Sequence, residues 1–413
     1  MPGAPTPSAG QPGSPQQPFT KGGPRPGVPG PLTTPGQPGG VQNPLSKGGQ
    51  PQPGAPGAVP GGPGSPAVGA VPPVSPAVGA QPAGKAAVGV PAVGKVVAPP
   101  PGPARLEDLK QARVERVVGN RRIIQEPGAR TIVKQDNRTF IQRNETTIIQ
   151  NNYPAARSTR LPSGVTQSVY VRPDGMRVYS EVDGSGRLVR RYGRWNDGRQ
   201  ITYVDNRRFY RNLAIGVGAG LVAAAAIVAL APPRHELPPQ RYVVDYERAS
   251  YDEIYETLSA PPVERLPRAY SLDEIRYNEP VRARMRRIDL DTITFEFGSF
   301  EITPDQYGKL ERIAQAMGRT IEANPGEMYL IEGHTDAVGS EEDNLTLSDR
   351  RAEAAARVLS EYYSIPMENL VTQGYGEQHL KVQTEEPERA NRRVTIRRIT
   401  PLMGQAGAPG APQ

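Results

Sequence analysis

The sequence predicts an α/β sandwich of order βαβαββ at its C-terminal end, preceded by a β-rich middle and a low-complexity start. Three observations predict this. Short strand-like runs occur at 291–297, 328–331, 370–374 and 393–399, with apolar residues at helical spacing over 310–321 and 344–363 between them. Asp-Gly turns separate β-branched and aromatic runs in the middle of the chain. The 45 Gly and 47 Pro among 413 residues crowd the first hundred positions, so the foldable part is much shorter than the whole.

The formal charge of +7 and the pI near 9.5 favour acidic or polyanionic surroundings such as anionic lipid, a wall polymer or nucleic acid. The absence of Cys removes disulfides, thiolate metal sites and cysteine nucleophiles. The opening Met-Pro-Gly-Ala-Pro-Thr-Pro lacks the charged and apolar regions of a signal peptide.

Residues 1–104 carry no acidic residue, and Ser-Pro-Ala-Val-Gly-Ala recurs at 65–70 and 75–80. Such a segment has too little apolar bulk to offset its ordering entropy and is read as a disordered, partly polyproline-II tether. Over 106–210 an eight-residue recurrence begins at Arg122, Arg130, Arg138 and Thr146, each with two or three β-branched or aromatic residues behind it. Further runs at 168–171, 176–182, 187–192 and 199–204 are divided by Pro173-Asp-Gly, Asp183-Gly-Ser-Gly and Asn196-Asp-Gly. Antiparallel meanders with arginine on a solvent face are expected.

Leu213–Ala231 is nineteen residues without a charge, long enough at ~1.5 Å per residue to cross a bilayer core, and is read as one transmembrane helix. Gly216-x-x-x-Gly220 within it would let two copies pair as a homodimer. Arginines are denser before it than after it, which puts the N-terminal side in and the C-terminal side out. That topology leaves 106–210 in the cytoplasm, across a membrane from the C-terminal domain; a signal peptide ahead of this start would put the same residues in the periplasm. Residues 232–287 are read as a connector, with capping boxes at Ser250-x-x-Glu253 and Ser271-x-x-Glu274 and a short strand at Val243.

In the domain at 288–402, Thr303-Pro-Asp-Gln306 reads as a capping box with Pro at the first helical position. Asn324-Pro-Gly stops the helix that follows. Met328–Ile331 opens into a glycine-bounded loop that holds Asp336, and Arg351 stands in the next helix, fifteen residues on.

Gly333-His-Thr-Asp336-x-x-Gly339, Asn344-x-x-Leu347-Ser348-x-x-Arg351-Ala352, Gly374-x-Gly376 and Asn391-Arg392-Arg393-Val394 occur in that order. Together they resemble the OmpA-like (OmpA/MotB) peptidoglycan-binding domain, over about 282–402. The front of the chain resembles the Pro/Gly-rich N-terminal regions of alphaproteobacterial proteins with this domain, not an eight-stranded barrel.

The resemblance implies binding without catalysis or cofactor. The ligand would be the diaminopimelate side chain of a peptidoglycan stem peptide, held so that a membrane of the cell envelope is tethered to the wall. The free end of that side chain carries an ammonium and a carboxylate on one carbon. A carboxylate suits the first and a fork-shaped guanidinium the second. By the resemblance, Asp336 takes the ammonium, Arg351 takes the carboxylate, Asn344 supports, and Arg393 is the arginine of the closing motif. Thr335 and Ala337 flank the loop, and Phe297 and Gly298 end the first strand beside the pocket. Arg350 is expected to face solvent. The loop after Gly376 departs from the family pattern, with Glu388 where Gly is common. The implied setting is single-pass, with this domain in the periplasm.

Other readings have less support. A MotB-like stator needs an intramembrane carboxylate, which Leu213–Ala231 lacks. Glu332 with Asp336 would be the carboxylates of a wall-cleaving enzyme, but they fall on a strand and its following loop. A peptidoglycan-remodelling accessory role remains the other alternative. His235, His334 and His379 are the only histidines, so no metal site is expected, and His334 is read as bracing its loop. Nucleic acid is not expected as a partner, since a charged face on a thin sheet accounts for the surplus arginine.

Overall fold

The eight-residue recurrence folds into strands for three of its four repeats. The computed structural model describes residues 105–136, 138–210, 232–233, 237–296 and 298–404, so that the tether at 1–104, the apolar stretch at 213–231 and Phe297 lie outside the described residues. Helix α1 (Leu106–Gln111) leads into β1 (Val114–Val118), β2 (Arg121–Glu126), β3 (Arg130–Gln135) and β4 (Arg138–Arg143), an antiparallel sheet in that order. The fourth repeat, expected as a strand, is instead the helix α2 (Glu145–Asn152). Asn144 is the reason: its side-chain oxygen accepts from the amides of Thr146 and Thr147 at 3.0 and 3.4 Å. That cap satisfies helix donors that a strand would have used in a ladder.

A second antiparallel sheet follows, made of β5 (Arg157–Arg160), β6 (Thr166–Val171), β7 (Arg177–Val182), β8 (Leu188–Arg194) and β9 (Gln200–Asp205), in sequence order. Its turns fall where the Asp-Gly signals put them. Asp174, Asp183 and Asp197 each accept the backbone amide two residues on, at 3.1, 2.9 and 3.0 Å. The glycine that closes each turn, Gly175, Gly186 and Gly198, has φ between +80 and +90, a region that residues with a Cβ avoid. A single helical turn, α3 (Arg207–Tyr210), ends this part.

The third unit starts earlier than the sequence suggests. It comprises α4 (Pro239–Tyr242), β10 (Val243–Asp245), α5 (Tyr251–Ser259), α6 (Leu272–Tyr277), α7 (Glu279–Arg282), β11 (Arg287–Leu290), α8 (Glu311–Ala323), β12 (Tyr329–Gly333), α9 (Glu341–Arg357), β13 (Leu370–Gly374) and β14 (Val394–Arg398). Two of the three predicted capping boxes are formed, at Ser250/Glu253 and Ser271/Glu274. The strands run β10-β11-β14-β12-β13, with β10/β11 and β12/β13 parallel and the other two pairs antiparallel. The segment read as a connector thus supplies an edge strand and a helix to the domain.

Two local expectations fail for one shared reason. The strand expected over 291–297 ends at Leu290, and Thr303–Gln306 forms no capping box. The Gln306 amide group instead bonds both backbone groups of Thr294, accepting from its N–H at 2.8 Å and donating to its carbonyl at 2.9 Å. Those are the groups a neighbouring strand would have needed. Pro304–Leu310 is a 3₁₀ turn ahead of α8.

Alternation along the strands divides the apolar residues between two cores. Tyr329, Ile331 and Ile396 face Ile254 of α5, Ile313 of α8 and Ala355 of α9. Met328, Leu330 and Val371 face the other way, onto Tyr170, Val178 and Tyr203 of the second sheet and Leu272 and Ile275 of α6. The first sheet lies against α9, where Ile124, Ile132 and Ile141 meet Leu345.

This packing corrects the expected topology. Buried contacts join 106–210 to the C-terminal domain: Arg130 pairs with Asp349 at 2.8 Å, Arg143 donates to the Thr372 carbonyl at 2.9 Å, and Arg172 pairs with Glu368 at 2.8 Å. Parts that share a core cannot stand on opposite sides of a bilayer. Among the described residues no helix is long and apolar enough to cross a membrane.

Candidate functional site

Two glycines let α9 lie directly on the strand ends. A Cβ at Gly333 would stand 1.9 Å from the Ser348 carbonyl oxygen, and one at Gly374 would stand 2.4 Å from the Asp349 nitrogen. Side chains from the helix complete the contact. Asp349 accepts from the Gly374 amide at 3.2 Å and Ser348 Oγ from the Gly376 amide at 2.8 Å. The register of α9 is therefore fixed against β12 and β13, and with it the position of Arg351. The loop that carries Asp336 is pinned by its backbone: His334 N–H donates to the Arg393 carbonyl at 2.9 Å and Thr335 N–H to the Gly376 carbonyl at 3.0 Å. Ser340 then caps α9 by accepting from Asp343 N–H at 3.2 Å.

Asp336 is buried, and its Oδ2 accepts from Arg392 Nη1 at 2.6 Å. Arg351 has no carboxylate within ion-pair reach among the described residues. Its Nε donates to the Ser299 carbonyl at 3.2 Å, and its guanidinium carbon lies 4.7 Å from the Phe295 ring centroid. Burial pushes its pKa down to about 10, helped by Arg392 and opposed by Asp336, which leaves it charged at neutral pH. Asp336 is thus paired with Arg392 alone and acts on Arg351 only at longer range. The site holds a surplus positive charge that a ligand carboxylate would complement, and a carboxylate whose present partner is a half-exposed side chain.

The other residues expected at the site divide. Asn344 Nδ2 donates to Glu377 Oε2 at 2.6 Å, and burial raises the pKa of Glu377. The Thr335 hydroxyl is buried without a partner, and Ala337 is half-buried. Gly298, at φ +66, precedes the Ser299 whose carbonyl receives Arg351. Phe297 lies outside the described residues, and Phe295 supplies the ring beside Arg351.

Arg393 turns elsewhere. It donates to the carbonyls of Asn391 and His379 at 3.3 and 3.1 Å, with Asp289 at 3.8 Å, and burial pushes its pKa down to about 10. It is Arg392, not Arg393, that meets Asp336. Adjacent side chains ahead of a strand point opposite ways, so a two-arginine motif can put only one of them in the site. Sequence reasoning missed Arg392, Phe295, Ser299 and Glu377. Only Arg392 carried a signal, as a member of the Asn391-Arg392-Arg393 motif.

Three further expectations can be checked against geometry. Arg350 does not face solvent. It is 2% exposed, donates to the Pro127 carbonyl at 2.7 Å, and burial followed by Arg130 pushes its pKa down to about 10. Glu332 stands away from Asp336, bonded to Arg397 at 2.8 Å and Thr395 at 3.0 Å on the second-sheet side. The His334 ring nitrogens are buried without hydrogen bonds, but the ring stacks on Tyr375 at 5.7 Å between centroids and its Nε2 lies 3.7 Å from Glu332, so ring packing and the His334 amide both brace the loop. Among the described residues no group of three or more His, Asp or Glu is placed to hold a metal.

Comparison with known proteins places the site in a family. Residues 294–393 match the OmpA family. The chain is 32% identical over 117 residues to the outer membrane porin F of Pseudomonas aeruginosa, covering 28% of this chain and 32% of that protein. It is 33% identical over 88 residues to the peptidoglycan-associated lipoprotein of Haemophilus influenzae, covering 21% of this chain and 54% of that protein. It therefore spans about a third of the porin F relatives and about half of the lipoprotein. Among solved structures, the peptidoglycan-associated lipoprotein of Burkholderia pseudomallei is 26% identical, with 26% of this chain and 87% of that chain covered and a TM-score of 0.23. The C-terminal part of this chain, residues 294–393, is an OmpA family domain.

Proposed function

We infer that this domain binds peptidoglycan non-covalently, through the ammonium- and carboxylate-bearing end of the diaminopimelate side chain. The observation that carries the reading is the unpaired Arg351 guanidinium set beside the Asp336 carboxylate. Such a site offers one charge of each sign, which an amphoteric group answers and a simple anion or cation does not. In the bound form the ligand ammonium takes the place of Arg392 on Asp336, and the ligand carboxylate meets Arg351. Thr335 and Ala337 border the loop, and Asn344 steadies Glu377 at its rim. The OmpA family match and the peptidoglycan-associated lipoprotein among the relatives support the same polymer.

The role is attachment in the cell envelope, not catalysis. The apolar stretch at 213–231 fits a membrane attachment. Both of its ends join one body, because Tyr210 bonds Asp273 and Tyr242 bonds the Ala283 carbonyl. We therefore take the two flanks of the stretch to stand on one, periplasmic, side of that membrane.

Co-sedimentation of the full chain with purified sacculi tests the site. Asp336→Ala and Arg351→Ala should each lose most of the bound fraction while keeping their folding transition. Undiminished sedimentation of both would exclude the clamp. Deleting 213–231 and fractionating membranes tests the attachment separately.

A further inference from the structure

The second sheet buries one face on the C-terminal domain and leaves the other to solvent. Its register sets which residues share that outer face. Arg157, Val169, Tyr179, Tyr192 and Thr202 form one row across the five strands. Val171, Arg177, Arg194 and Gln200 form the next, and Arg190 opposes Glu181 in a third. The Tyr179 and Tyr192 rings are stacked, with centroids 4.8 Å apart and planes 7° from parallel. Arg190 lies 4.1 Å over the Tyr192 ring, and Val171 is 63% exposed.

The arginines of this face differ from most others of the sheet and its turns, although Arg160 of β5, on the other face, is likewise outside any ion pair among the described residues. Arg172, Arg187, Arg199 and Arg207 each pair with an aspartate or glutamate, and Arg191 pairs with Glu145. Arg157, Arg177, Arg190 and Arg194 have no carboxylate within ion-pair reach among the described residues, and the Arg190 Nε is buried without a partner. Four uncompensated guanidiniums around a stacked tyrosine pair, opposed by Glu181 and Asp205 alone, leave a net positive face. Its flat aromatic edge suits sugar rings and its charge suits carboxylates.

We propose that this face is a second contact surface for the wall polymer, holding its sugar rings on Tyr179 and Tyr192 and its stem-peptide carboxylates on the four arginines. The inference rests on the peptidoglycan reading of the Asp336–Arg351 site. That polymer repeats both pyranose rings and carboxylates, so a protein fixed to it at one point meets further repeats at high effective concentration. The face lies on the far side of the second sheet from the central sheet and α9. The two sites therefore address different regions of the network, and the shared core makes the pairing rigid.

Sacculus co-sedimentation of the full chain, at about 50 and about 200 mM salt, separates the two sites, because exposed charges are screened over that range. The variant with Asp336→Ala and Arg351→Ala should keep a weak bound fraction at low salt and lose it at high salt. Adding Arg157→Gln, Arg177→Gln, Arg190→Gln and Arg194→Gln should abolish it. The four Gln substitutions alone should weaken sacculus binding several-fold and flatten its salt dependence. They should leave the affinity for a soluble muropeptide monomer unchanged, which also reports that the chain is folded. No residual low-salt binding by the Asp336/Arg351 variant, or wild-type binding and salt dependence in the fourfold variant, would overturn the proposal. Tighter binding of this face to a single-stranded oligonucleotide than to sacculi would overturn the assignment of the polymer. Wild-type binding by the Asp336/Arg351 variant, abolished by the four Gln substitutions, would refute the first site and leave the second standing.

Discussion

Arg392 donates to Asp336 at 2.6 Å, so the carboxylate of the site is already paired by the chain's own cation. Its side chain is 41% exposed against 11% for Asp336, which makes the arginine the partner that can leave. Binding of an ammonium at Asp336 therefore exchanges one ion pair for another, and the intramolecular pair sets a threshold for the ligand.

Arg392→Ala removes that competitor. A half-exposed pair contributes only about 0.2–1 kcal/mol, so the affinity for diaminopimelate-containing muropeptide should rise by no more than about fivefold. Titration calorimetry reads the change. A drop in affinity would mean that Arg392 grips the ligand carboxylate more than it blocks the ammonium.

The contact between the first sheet and α9 should govern stability. Arg130 is nearly fully buried between Asp349 and Glu353. Arg130→Ala leaves the buried Asp349 with Arg143 at 3.5 Å and the Gly374 amide only, and the cost should approach, without exceeding, that of a fully broken buried pair, about 3–5 kcal/mol. Urea unfolding of the full chain should show this as a lower midpoint. Arg122→Ala, at an exposed pair with Glu115, should move it little.

Gly374→Ala tests how closely α9 must lie on the sheet. The added methyl meets helix backbone at 2.4 Å, which a side-chain rotation cannot relieve. Overpacking of this kind costs about 1–3 kcal/mol, and the helix displacement should also lower muropeptide affinity because Arg351 moves with it. Unchanged affinity at reduced stability would show that Arg351 is positioned independently of that contact.

Acid should loosen the fold in two stages. Burial, followed by the guanidinium of Arg282, pushes His379 down to about 3. Burial and Arg393 hold His334 well below its ordinary 6.5. Below that ordinary value an unfolded chain takes up protons that the folded chain refuses, so stability falls as pH drops. At about pH 5.5 the loss should be about 1 kcal/mol per histidine relative to neutral pH. A second loss begins below the ordinary carboxylate range. Burial raises the Glu145 carboxyl, but Arg276 and Arg191 outweigh it and hold it at about 2. Burial also raises Glu353, and Arg130 and Arg143 hold that group at about 2. The stability these two contribute is present above about pH 4.5 and lost as pH falls towards 2. Denaturation midpoints across pH 3–8 check both stages, and His379→Gln should flatten the first.

Local chemistry was legible wherever the signal and the structure span the same few residues. The Asp-Gly turns, the two serine capping boxes and the Asn324-Pro-Gly stop are of this kind, since each depends on bonds within about four residues. Thr146–Ile149 misled because its composition suits a strand while the cap at Asn144 is worth more locally. The 291–297 strand failed because Gln306, distant in sequence, took the backbone groups of Thr294.

By itself the sequence determined the order of strands and helices in the C-terminal domain and brought Asp336 and Arg351 forward as a pair. Periodicity and motif spacing are properties of the chain alone. Tertiary structure decided that Arg392 and not Arg393 meets Asp336, that Arg350 is buried under the Pro127 carbonyl, and that 106–210 shares a core with the domain it precedes. Each of these depends on which elements pack together, and burial of apolar surface carries no record in the sequence of the partner that covers it.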